Sequence, residues 1–302
     1  MILASATKER AMSPLRRLWR NTAVRFCVIV LMILALIAIA APRLGTVDPA
    51  AMDAGNINVP AGHRGEMTLA DGTVVNHTFL MGSDNFGRDV WSRVVYGTRI
   101  SLAIALITML LALLVGGGLG LLAGYFKSVD VFLMRVLDGL MSIPPILMAV
   151  ALVASLGPSI PTVAIAIALP EVPRVARLLR SIVLGLRSEL FVEAAQTLGT
   201  PSFRVMFRHV LPNAWSPLLV QGTFIAASAV LTEALLSFLG VGLPADVPTW
   251  GNVMAEGRVQ FTQYPGIVFF PALFLVPTVL AINLLGDGLR DVLDPKFNRS
   301  RA

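Results

Sequence analysis

The sequence predicts an all-α polytopic membrane protein with six transmembrane helices. Three observations predict it. Of 302 residues, 56% are hydrophobic and only 14% charged, whereas a soluble domain is about half apolar and about a quarter charged. The apolar residues gather into six runs separated by polar segments, and mean hydropathy is +0.76. The basic residues are also unevenly spread. With the N-terminus inside, 18 of the 24 Lys and Arg fall in the inside segments 1–25, 127–135, 174–213 and 286–302. The outside segments 42–99 and 240–265 hold the other 6, as the positive-inside rule requires.

The same asymmetry explains the net charge of +6 without nucleic acid. No aromatic-interleaved basic patch of the kind nucleic acid needs is present. The single cysteine, Cys27, forms neither an internal disulfide nor a metal cluster, and His63, His77 and His209 show no ligand spacing. No metal and no cofactor is therefore expected.

Residues 1–25 form a basic tail, and 26–41 the first span. The basic stretch is long and Ala40-Ala41-Pro42 is a poor cleavage site, so the span is read as uncleaved. Residues 42–97 are polar, with turns at Ala54-Gly55-Asn56 and Pro60-Ala61-Gly62. Met67-Thr68-Leu69 and Thr73-Val74-Val75 flank Asp71-Gly72, a hairpin signal. Met81 to Arg93 reads as a capped interfacial helix start, with Trp91 and Tyr96 at the headgroups.

The main membrane domain is 98–288. Its first helix, Ile100 to Phe126, carries Gly116-Gly117-Gly118 and Gly120, small residues that let helices approach closely. A polar turn, Lys127 to Arg135, precedes a third span from Val136 to Leu156, broken at Pro144-Pro145. Gly157-Pro158-Ser159 turns into a fourth span, Ile160 to Leu179, with Pro170, Glu171 and Pro173 inside it. The fifth span is Trp215 to Leu239 and the sixth Ile267 to Leu285, joined by a glycine-rich return loop, 240–265. A polar tail follows, with 289–302 outside the membrane domain.

Residues 187–213 lie between apolar segments yet carry five charges, Arg187, Glu189, Glu193, Arg204 and Arg208. Such a run belongs in water. Phe191, Ala194, Ala195 and Leu198 recur at helical spacing, and Gly199 and Pro201 are stop signals. A second short helix is expected from Ser202 to Val210, broken by Leu211-Pro212-Asn213. Chemistry alone leaves two readings open: an amphipathic loop resting on headgroups, or a docking element for a soluble partner.

Glu193-Ala194-Ala195, Gly199 and Leu211-Pro212 resemble the EAA loop of the membrane subunits of ABC importers. The general pattern has an isoleucine where this chain has His209. Arg208-His209-Val210-Leu211-Pro212-Asn213 instead resembles the oligopeptide/dipeptide/nickel branch. Met81-Gly82-Ser83-Asp84-Asn85-Phe86-Gly87-Arg88-Asp89-Val90-Trp91-Ser92-Arg93 is similar to that branch's GTDxxGRD(V/L)xSR signature. Leu284 to Pro295 is similar to its LLGDGLRDxLDP ending. The resemblance implies a MetI-like permease fold and a subunit without catalytic activity. It further implies a second, homologous permease, two cytoplasmic ATPase subunits and a solute-binding protein as partners. The location implied is the bacterial inner membrane, with both termini cytoplasmic. It assigns Glu193, Ala194, Ala195, Gly199, Leu211 and Pro212 to ATPase coupling, and peptides or similar small solutes as cargo.

No phosphate-cradling glycine loop with its Lys and Ser/Thr occurs, so any ATP chemistry belongs to a partner. Charges inside spans face protein or a wet path. The candidates are Asp138, near the inner interface and suited to a paired structural role, Glu171, with Arg174 as neighbour, and Glu233. For Glu233, pathway lining and structural pairing stay equally open. Near Glu171 the chain lacks a tryptophan common in the branch, so nothing is carried over there. Pro144-Pro145, Pro170, Pro173, Pro271 and Pro277 fit either a wet path or static kinks. Three carboxylates in spans keep an ion-coupled secondary transporter in play as the alternative, and a membrane scaffold or sensor as a third class.

Overall fold

The computed structural model describes residues 21–69 and 72–293. The basic tail 1–20, the hairpin tip 70–71 and the end of the tail lie outside the described residues. Ten longer helices, three single 3-10 turns and one two-stranded sheet make up the described fold.

Helix α1, Thr22–Ala40, starts at Asn21, whose side chain accepts the Ala23 amide at 3.0 Å. Four of its large apolar side chains, Phe26, Met32, Leu36 and Ile39, are more than half exposed. Hydrocarbon tolerates such a surface; water does not.

A small polar lobe follows. Strands β1, His63–Thr68, and β2, Val74–Phe79, pair antiparallel, with His63 opposite Phe79 and Thr68 opposite Val74. The hairpin expected around Asp71-Gly72 is thus present, and Gly72 has φ +81°. Ala51, Met67 and Phe79 form the lobe's buried core. Gly87 passes against the 53 backbone so tightly that a β-carbon would lie 1.8 Å from the Asp53 carbonyl oxygen. Only glycine fits there.

Helix α2, Val90–Tyr125, has 36 residues, a length of about 54 Å at 1.5 Å per residue. Asp89 caps it by accepting the Ser92 amide at 2.8 Å. Trp91 is half-buried, its indole donating to the Leu44 carbonyl at 3.0 Å. The expected helix cap is therefore present. The glycine reading is sharpened: Gly116, Gly120 and Gly124 carry the close approach, while Gly118 faces open space. Spacing of four puts these three on one face of α2.

Three expected elements differ. The polar turn Lys127 to Arg135 is helical, part of α3, Lys127–Met141. Its charges do not break it because Asp130 pairs with Arg180. The third span is a bent pair, α3 and α4, Pro145–Leu156, meeting at 86°. Pro144 and Pro145 account for the bend, since neither can donate a helical amide. The fourth span is divided between α5, Ile160–Ala168, and α6, Glu171–Arg187, at Leu169–Pro170.

Helix α7 spans Leu190–Thr197. Helix α8, Ser202–Phe238, runs on for 37 residues. The expected break at Leu211-Pro212-Asn213 is absent. A wide, five-residue π turn at Met206–Val210 precedes Pro212, which stands in the first turn of the α-helical stretch that follows. A π turn relocates the hydrogen bonds that a proline would otherwise cut.

The return loop is not all loop. It contains α9, Trp250–Gly257, with Trp250 fully buried. Helix α10, Gly266–Leu293, continues through the stretch read as polar tail, since Gly286 packs on Thr223 and Gly288 on Val24. Among the described residues, four helices are long and apolar enough to cross a membrane, five if the bent pair counts as one. The polytopic all-α reading holds; of the six expected spans, the fourth is the one divided between two helices, α5 and α6.

Candidate functional site

The ends of α2 define two ends of the bundle. Its first turn carries the hairpin lobe. Its last residue, Tyr125, carries the α6–α7 corner. Arg187 donates to the Tyr125 carbonyl at 2.8 Å and lies 5.5 Å from the centre of its ring. Gln196 donates to the Tyr125 hydroxyl at 3.2 Å.

Helix α7 turns one side inward. Val192 and Ala195 are buried, as are Val205, Met206 and Val210 of α8, in one core with α6. Glu193 and Ala194 are exposed. Gly199 takes φ +76°, with its amide on the Gln196 carbonyl at 2.9 Å. The Thr200 amide reaches back to Ala195 at 3.1 Å. These bonds satisfy the open carbonyls of the α7 end, and glycine takes the left-handed position without a β-carbon clash. The bend expected at Gly199 is thus present. Leu211 is half-buried and Pro212 exposed, both in the continuous α8.

The outward side of this corner is apolar for a surface that leaves the bundle. Leu190 is 81% exposed and Leu198 85%. Phe203 and Phe207 also project. Arg204 and Arg208 stand exposed beside them. Apolar side chains with charges beside them thus stand on a bend fixed by backbone bonds.

The three carboxylates singled out in the spans do not converge. Glu171 accepts from Arg174 at 2.7 Å, one turn along α6, as expected. Asp138 of α3 pairs with Arg177 of α6, and both are largely exposed. A pair that sequence spacing did not reveal sits beside them: Arg180 donates to Asp130 at 2.7 Å. Glu233 lies apart, 1% exposed in α8. Its oxygens meet hydroxyls: Ser237 at 3.0 Å and Ser101 at 3.5 Å.

At the hairpin end the structure shows a buried cluster that sequence reasoning missed. Asp84, Arg88 and Arg93 of the Met81–Arg93 stretch meet Glu256 of α9. The spacing of Asp84, Arg88 and Arg93 was a signal for mutual pairing. Nothing in the sequence set Glu256 apart from other polar residues of its loop.

A long-helix bundle with a polar cap at one end and a bent, apolar corner at the other is the architecture of a multi-pass membrane permease. Residues 116–299 match the family described as binding-protein-dependent transport system inner membrane component. A putative peptide transport system permease protein of Brucella abortus is 41% identical over 93% of this chain and 90% of its own length. A probable peptide ABC transporter permease protein of Sinorhizobium fredii is 49% identical over 73% of this chain and 76% of its own. The dipeptide transport system permease protein DppC of Haemophilus influenzae is 35% identical over 95% and 96%. Among solved structures, the inward-facing MetNI methionine ABC transporter has a chain with TM-score 0.52 at 17% identity, covering 69% of this chain and 96% of that one. That likeness is one of fold. The chain belongs to the binding-protein-dependent inner membrane component family: it is a permease subunit of an ABC importer.

Proposed function

We propose that this subunit moves peptides inward across the bacterial inner membrane, with a second permease, two cytoplasmic ATPases and a solute-binding protein as partners. The observation that carries the reading is the near full-length relationship to permeases named for peptide transport. Both termini and the α7 corner are cytoplasmic in this reading, which the distribution of basic residues supports.

In this reading α7 seats in a cleft of the ATPase. The exposed Leu190, Leu198, Phe203 and Phe207 supply apolar contact. Glu193 meets a basic group of the ATPase, Ala194 and Ala195 keep the helix slim, and Gly199 sets the bend. Leu211 and Pro212 lie within the continuous α8, so a push at α7 arrives in the bundle as rigid-body motion. Asp138 ties α3 to α6 through Arg177, and Glu171 pairs with Arg174 within α6. Glu233 lines the pathway and receives the peptide's cationic amine.

The test is reconstitution. The chain is co-expressed with a candidate second permease and candidate ATPases and placed in liposomes with the binding protein. ATP-dependent accumulation of a labelled tripeptide is expected. Accumulation driven by an ion gradient, with the chain alone, would overturn the reading.

A further inference from the structure

Four charged side chains meet at the hairpin end. Asp84 takes Arg88 Nε at 2.8 Å and Arg93 Nη1 at 2.7 Å on one oxygen. Its other oxygen takes the amides of Phe86 and Arg88 at 2.9 and 3.0 Å. Asp84 is therefore fixed within its own loop. Glu256 approaches from α9. Its Oε2 meets both guanidinium groups, and its Oε1 accepts from Arg93 Nη2 at 3.2 Å. Arg93 Nη2 also donates to the Ala245 carbonyl at 3.0 Å. Two cations thus face two anions.

The two halves of the cluster differ in kind. Asp84, Arg88 and Arg93 are close neighbours in sequence and have side chains at most 2% exposed. Glu256 comes from 163 positions beyond Arg93 and its side chain is 14% exposed. It borders an open depression of about 330 Å³, which Asn252, Ala245 and Ser237 also line. Ser237 in turn holds Glu233. Withdrawing Glu256 would leave one carboxylate for two buried guanidinium groups, a state that burial penalises.

We propose that Glu256 is a gate-positioning residue: it clamps α9 and the 240–249 loop onto Arg88 and Arg93, closing the hairpin end over Glu233. The proposal rests on the importer reading for its part in transport. Val253, on α9 and fully buried, reports the closure. Cys27 is the chain's only cysteine and is buried, so V253C in a C27S background gives one informative thiol.

The experiment measures labelling of V253C by a polar maleimide added in solution. In purified, monodisperse protein, E256Q and E256A are expected to speed labelling at least fivefold over the Glu256 background. Equal rates overturn the clamp. Should the Glu256 variants fail to fold, the assembled complex with Glu256 intact is trapped with a non-hydrolysable ATP analogue. Labelling is then expected to rise at least fivefold over the nucleotide-free complex, and no rise overturns the proposal. Loss of ATP-dependent uptake in the unmutated complex would strike the importer reading alone, because the labelling of purified protein needs no transport.

Discussion

A β-carbon on Gly120 would lie 2.4 Å from the carbonyl oxygen of Ala176. The neighbouring positions repeat the relationship: a β-carbon on Gly116 would lie 2.6 Å from the Val172 carbonyl oxygen, and one on Gly124 2.6 Å from Val183 Cβ. Helices α2 and α6 therefore touch backbone to backbone along two turns. In lipid, such packing replaces the hydrophobic drive that water would supply. Gly118, with nothing within 4 Å of its would-be β-carbon, is the internal control. G120A is expected to destabilise by about 1–3 kcal/mol, and G118A by less than about 0.5 kcal/mol. Thermal midpoints of detergent-purified variants check both, and a G120A midpoint equal to that of G118A would refute the backbone contact.

The hairpin lobe should loosen in acid. Asp53 accepts the Thr68 amide at 3.0 Å, the Gly55 amide at 2.9 Å and the Asn56 side chain at 3.0 Å. The Thr68 bond is the largest cause holding its carboxyl below the ordinary range, and burial opposes it. The folded state thus binds this proton less readily than the unfolded state. Its contribution is complete above the ordinary carboxylate range and is lost as pH falls through the lowered value. Hydrogen exchange across residues 63–79, corrected for intrinsic rate, is expected to show protection falling in acid. D53N should exchange faster at neutral pH and lack the acid step due to this group.

Much of this was legible because local chemistry set it. Asp71-Gly72 announced the hairpin, Gly199 the left-handed bend, and the period of three to four in Phe191, Ala194, Ala195 and Leu198 the short helix. Polar composition misled where distant groups neutralised it. Lys127 to Arg135 read as a turn because Arg180, fifty positions beyond Asp130, is invisible to a local window. Residues 240–265 read as loop because Trp250 finds its partner, the Val94 carbonyl at 3.2 Å, on another helix. Pro212 read as a break because a π turn ahead of it leaves no periodic trace.

The α7 corner separates stability from coupling. Leu198 projects with 85% of its surface exposed, so L198D is expected to change stability by less than about 0.5 kcal/mol. It should nonetheless release the ATPase, because a charge then stands at the tip of the apolar patch. G199A acts otherwise: at φ +76° a β-carbon costs about 1–2 kcal/mol and shifts the bend itself. Co-purification of the ATPase with tagged permease, beside thermal midpoints, checks the pair. Full ATPase retention by L198D would remove this corner from the interface.

Glu233 offers the sharpest division between a structural and a transport role. Ser237 and Ser101 reach its two oxygens, and no ion pair to it occurs among the described residues. A glutamine keeps the shape and one acceptor oxygen, and its amide can donate to a hydroxyl that turns. E233Q should therefore hold stability to within about 1 kcal/mol. E233A leaves hydroxyls without their acceptor and opens space, at about 2–4 kcal/mol. If Glu233 receives the peptide's amine, E233Q loses the charge that the amine requires, and ATP-driven tripeptide uptake falls at least tenfold while assembly persists. If the carboxylate serves only to hold Ser101 and Ser237, uptake follows stability: E233Q transports as the unmutated chain does, and only E233A is impaired. Uptake and thermal midpoint measured on the same two proteins decide the matter, since the transport role alone separates the two readouts.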